Sequence, residues 1–166
     1  MSTVTSRIPA LIDYLVTLFT SASTLGAAAA PGTVTVFDGP AVAGLDAPLK
    51  LFVGLADPDN SGAEQAADSQ QTWAALGRLG RDEIVTIHCC AEAWAGTDDL
   101  KTVRVAATGI VAAVEQLMQS DTTQFGGNAL FPDPGISGLV LMQNTTQQGA
   151  VARVAFDLSF KARIGG

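Results

Sequence analysis

Lysine is nearly missing from this chain. Lys50, Lys101 and Lys161 are the only three, against 16 acidic residues, and the net charge is −7. Affinity for nucleic acid comes largely from clustered Lys and Arg, so a protein whose task is to grip phosphate backbones is excluded. Cysteine is almost as scarce. Cys89 and Cys90 are the only pair and they are adjacent. Neighbours on a strand point to opposite faces, so these two neither chelate one metal nor bridge without strain, and no disulfide framework exists. They read as two small buried hydrophobes of a reducing compartment. No apolar run reaches the 18 or so residues of a membrane span. Near the N-terminus, Asp13 interrupts the apolar residues and their spacing is helical, which argues against an export signal.

Motifs of chemistry are missing too. His88 is the only histidine. Adjacent strand residues diverge, so His88 and its cysteine neighbour do not form a base and nucleophile pair. No Gly-x-Ser-x-Gly elbow occurs, and Phe125-Gly-Gly-Asn128 lacks the pattern that cradles phosphate. Asp57, Asp59 and Asn60 resemble the start of a calcium loop but lack the bidentate Glu at the right spacing, so a turn is the simpler reading. No cofactor or metal is expected.

What is present is apolar periodicity. Residues 150–164 alternate, with Val154, Phe156, Leu158, Phe160, Ala162 and Ile164 on one face. That period of two predicts a long strand with one dry face. Leu139–Thr146 is a second strand, joined to the first through Gln147-Gln148-Gly149 as a hairpin. Ile8, Leu11, Ile12, Leu15, Leu18 and Phe19 recur at helical steps, with Thr5 or Ser6 as the cap. Thr33–Asp38 and Leu49–Leu55 are strands, the second an inner one. A long polar loop is expected from Ala56 to Gln71, then a short extended piece at Trp73–Leu76 and a turn at Gly77–Gly80. Ile84–Trp94 is a strand whose faces carry Val85, Ile87, Cys89, Ala91 and Ala93 on one side and Thr86, His88, Cys90, Glu92 and Trp94 on the other. Thr97-Asp-Asp99 caps a second helix bearing Leu100, Val103, Ala107, Ile110, Val111, Val114, Leu117 and Met118 in one stripe. A second long loop is expected from Asp121 to Gly138.

The predicted fold is therefore α+β, one domain over residues 1–166. Its single sheet is mostly antiparallel or mixed, and two helices cover it, in the order α-β-β-(β)-β-α-β-β. Taken singly, Trp73, Trp94, Phe125 and Phe131 read as core aromatics; taken together with Leu130, at strand ends or in loop sequence, they are the candidate surface for burial by another subunit. The two long loops are the candidate contact regions.

Six blocks in this order resemble one family: Arg7–Leu15, Val34–Pro40, Leu51–Gly54, Arg81–Ile87, Gly126-Gly127 and Gly149–Phe156. Together they resemble the tail terminator proteins of long-tailed bacteriophages, particularly those of actinobacterial hosts. The resemblance implies a small protomer that forms a hexameric ring on the head-proximal end of the tail tube. Such a ring would stop tube growth and offer a surface to head-completion or neck proteins, with DNA passing through it without specific binding. It implies a virion location in the neck region after assembly in the host cytoplasm, no membrane, and no catalytic residues. Two alternatives stand beside it. One is another connector or tail tube subunit; the other is a small cytoplasmic hydrolase or thiol enzyme using His88 and Cys90.

Overall fold

A computed structural model describes residues 4–23, 25, 33–44, 46–60, 62–73, 80–130 and 135–165. Three helical segments and six strands follow one another as α1 (Ile8–Ser21), β1 (Thr35–Asp38), β2 (Leu49–Val53), β3 (Ala67–Trp73), β4 (Arg81–Ala95), α2 (Leu100–Ser120), α3 (Gln124–Gly127), β5 (Gly135–Thr146) and β6 (Gly149–Ile164). All six strands share one sheet in the order β1-β2-β4-β6-β5, with β3 also paired to β4. Only β1 and β2 run parallel, so the sheet is mixed.

The long strand β4 is its axis. One edge of β4 pairs with β6 from Arg81 to Ala95. Its other edge is divided between β3, over Arg81–Ile87, and β2, over Cys89–Ala93. His88 marks the changeover: its N–H donates to the Ala66 carbonyl, and its carbonyl accepts from Gly54 and Leu55 N–H.

The alternation in β4 and β6 sets the layers. Val85, Ile87, Cys89, Ala91, Val154, Phe156, Leu158 and Phe160 face one side and are buried with Leu51 and Val53. The α1 face (Leu11, Leu15, Phe19) and the α2 face (Val103, Ala107, Ile110, Val114, Met118) cover them in one continuous core. Asp99 caps α2 as its position suggests, its carboxylate accepting from Lys101 and Thr102 N–H.

Three sequence expectations are corrected. Residues Ala67–Gln71, read as the end of a polar loop, belong to β3. Ala-Asp-Ser-Gln-Gln-Thr-Trp has almost no apolar period, and its strand conformation comes from pairing with the stretch of β4 that β2 leaves open. The Asp121–Gly138 loop contains the helical turn α3 and the first residues of β5. Helix α1 has no capping side chain at its Ncap, Arg7. The expected cap Ser6 accepts the Ile8 N–H and donates to an acceptor on a distant strand, which also takes the Arg7 N–H. Residues 74–79 and Phe131 lie outside the described residues.

Candidate functional site

Register, not sequence proximity, assembles the polar groups of the second sheet face. Lys50 pairs with Glu92 and Glu92 with Arg153 in the ladders of β2, β4 and β6, so three charges of alternating sign stand in one row. Lys50 Nζ lies 2.6 Å from Glu92 Oε1, and Arg153 Nε 2.5 Å from Glu92 Oε2. Asp59, on the connection between β2 and β3, closes the row by pairing with the Arg153 guanidinium. Lys50 and Glu92 are buried. Charges taken out of water are tolerated only when paired and hydrogen-bonded, and this row pairs each with its neighbour. Burial alone would lower the pKa of Arg153, but its bonds to Asp59 and Glu92 outweigh that and raise it. The row pins the 54–66 connection onto the sheet. Beside it, a cleft of about 480 Å³ is lined by Asp46, Lys50, Glu92, Trp94, Gln148 and Val151.

Four residues back along β4 from Glu92, on the same face, His88 lies in register with Asp157. Nδ1 sits 2.7 Å from Asp157 Oδ1, and Nε2 sits 3.5 Å from Asp68 Oδ2. Both ring nitrogens thus face carboxylates, with a hydrogen bond at Nδ1. The Cys90 thiol is buried with Phe52 and Leu55. Burial pushes Cys89 and Cys90 up to about 12, far from the thiolate range a nucleophile needs. Among the described residues no group of His, Cys, Asp and Glu could hold a metal ion. No described helix is long and apolar enough to cross a membrane.

Glu83 supplies the missing cap. It is fully buried on the helix face of β4, and its carboxylate accepts from Ser6 Oγ at 2.5 Å, Arg7 N–H at 2.8 Å and Gln71 Nε2 at 3.2 Å. A negative group at a helix N-terminus satisfies free N–H donors and favours the helix dipole. Burial pushes the pKa of Glu83 up, but hydrogen bonds from Ser6, Arg7, Gln71 and Ser69 outweigh it, and the net shift is downward. A carboxylate with a depressed folded pKa contributes stability that is complete above its unfolded value, 4.5, and is lost as pH falls through the folded value. Glu83→Gln is expected to cost about 1–3 kcal/mol at pH 7. The gap from wild type should narrow below about pH 4.5 in urea titrations at stepped pH. A gap that stays constant down to pH 2 would show that the charge is not what matters.

The five candidate interface residues separate. Trp73 is 71% exposed at the end of β3, with the Arg81 guanidinium 5.8 Å from its ring centroid. Trp94 is 36% exposed near the opposite end of β4, about 40 Å away at strand spacing. Leu130 is half-buried, and its N–H donates to the Lys161 carbonyl at 2.7 Å. Phe125 is a core residue of the protomer, with no exposed surface. Its ring meets Phe160 at 4.9 Å and Tyr14 at 6.1 Å, both edge to face. The reason is the Asp121 carboxylate, which accepts from Thr123 N–H and Oγ and from Phe125 N–H at 2.7 Å, turning the ring inward.

Sequence reasoning missed a run of four consecutive exposed apolar residues. Leu139, Val140, Leu141 and Met142 are 59%, 53%, 44% and 41% exposed in the middle of β5. Leu141 shares the helix face with its partner Val154, whereas Val140 and Met142 share the opposite face with Ala155 and Arg153. On the helix side, Ile136 and Leu139 border a shallow groove against Thr108, Val111, Ala112 and Glu115 of α2. The signal was in the sequence. An unbroken apolar run of strand length ordinarily marks a strand buried on both faces.

No family model matches the chain, and no curated protein matches it.

Proposed function

We propose that this chain is a structural subunit of a phage particle, a tail terminator that joins copies of itself into a ring, of six in the related family, at the head-proximal end of the tail tube. The observation that carries the reading is the pair of unlike edges at the two ends of the sheet. β5 lies at one end, long, apolar and uncharged; β1 and β3 lie at the other, short and mostly polar. A ring is heterologous, so each protomer needs two different surfaces on two different sides. The resemblance of the six sequence blocks supplies the tail and neck partners. The net charge of −7 suits a ring through which DNA passes without being held.

The thiol-enzyme alternative is disfavoured by the buried Cys90 and by the carboxylates at both nitrogens of His88. A tail tube subunit differs from a terminator in what it does alone: a tube protein polymerises without limit, whereas a terminator stops at one ring. The test is deletion of the gene in its phage, followed by electron microscopy of the lysate. Tails of irregular, often excessive length without heads are expected. Tails of normal length with heads attached would end the terminator reading.

A further inference from the structure

We propose that the free edge of β5 is a self-association edge, completed by a second copy of this chain that adds its own strand alongside Val140–Thr146. The inference deepens the ring reading by naming the strand through which one protomer holds the next.

Three observations carry it. The first is the mismatch between sequence and environment. Leu139–Met142 has the unbroken apolar run of a strand covered on both faces, yet its side chains are 41–59% exposed and, among the described residues, no strand lies beside the outer edge of β5. Leu139 and Leu141 are uncovered on the helix face, and Val140 and Met142 on the opposite face.

The second is the lack of edge protection. Proteins that must remain single guard long edge strands with Lys, Pro or inward-pointing charge. From Gly135 to Gly149 there is no Lys, no Pro and no charged residue of either sign. The one irregularity, a bulge between Ser137 and Val140, lies at the start of the strand and leaves Val140–Thr146 in regular register with β6. Alternate residues of that run turn N–H and C=O away from β6, which is the template for strand addition.

The third observation selects the occupant. Two copies of a chain with net charge −7 repel each other overall. The β5 hairpin is a 15-residue stretch where that repulsion is absent, because it contains no charge. A basic or acidic partner finds nothing there to pair with. A second copy finds an uncharged edge and apolar side chains on both sides of it.

The test uses the full chain with Val140→Lys and Leu141→Lys together. Both side chains are exposed, one on each face, so the protomer should remain folded with an unchanged circular dichroism spectrum and melting midpoint within about 2 °C. Native mass spectrometry and light scattering from about 1 to 100 μM should show wild type assembling and the double variant at least tenfold weaker. Hydrogen exchange should find outward-facing amides of Val140–Thr146 protected in assembled wild type and fast in the variant. Unfolding of the double variant would shift the test to Thr145→Pro, an edge change that leaves the apolar side chains in place. A wild type that stays monomeric at 100 μM, or variants that assemble as wild type does, would overturn the proposal. The terminator reading fails separately. If the edge variants abolish assembly while deletion of the gene leaves tails normal, the β5 edge stands and the tail function falls. If deletion gives overlong tails but the variants terminate them as wild type does, the reverse holds.

Discussion

Gly149→Ala is expected to destabilise the protein by at least about 4 kcal/mol, a size confined to a few named mechanisms. Gly149 follows the two-residue turn of the β5–β6 hairpin and adopts φ +129°, a conformation that side chains rarely accept. A Cβ there would overlap the Ala95 carbonyl oxygen, far inside van der Waals contact, and lie only 2.9 Å from Ala95 C and Gly96 Cα. All three are backbone atoms, so no rotamer change relieves the overlap. The end of β4 must part from β6 where Ala95 pairs with Ala150. Thermal unfolding should drop by roughly 10 °C or more. Gly127→Ala is the control: φ is +80°, but nothing lies within 4 Å of the added Cβ. That change should cost only the left-handed conformational penalty of about 1–2 kcal/mol. Equal losses in the two variants would show that backbone contact at Gly149 is not the cause.

The second large effect is at Phe125. Phe125→Ala should cost about 3–5 kcal/mol, as for other buried aromatic residues in tight cores. Phe125 also sits at φ 54° and ψ 50°, left-handed values that are rare for a bulky residue. Alanine keeps that strain, while glycine relieves it. Phe125→Gly is therefore expected to be more stable than Phe125→Ala by about 1 kcal/mol, the reverse of the usual helix order. Urea denaturation of the two variants checks the sign. A glycine variant that is clearly weaker than alanine would mean the turn at Gln124–Gly127 stores no strain. Phe125 thus serves the fold of the protomer; a subunit contact through this loop would rest on neighbours such as Leu130.

The dry faces were readable because a period needs no tertiary information. Phe156 and Leu158 on β6, Val85 and Ile87 on β4, and Ile110 and Val114 on α2 fall where their spacing put them. The Asp99 cap was readable for the same reason, since its partners lie two and three residues away. Glu83 as the acceptor for α1 was not readable. It lies 76 residues from Arg7, and only the pairing of β4 beneath the helix brings it there. The same holds for β3, whose polar sequence becomes a strand because β2 ends at Val53 and leaves β4 an open edge. Phe125 looked like an exposed loop residue until Asp121 turned its backbone inward. Lys50, Glu92, Arg153 and Asp59 are scattered over more than a hundred residues; strand register sets the first three side by side, and the β2–β3 connection brings Asp59 to them. The sequence by itself determined which residues are apolar and with what period, because both are local properties. Which of those residues remain uncovered is a tertiary property, because burial depends on the neighbours a strand finds, and among the described residues β5 has a strand on one edge only.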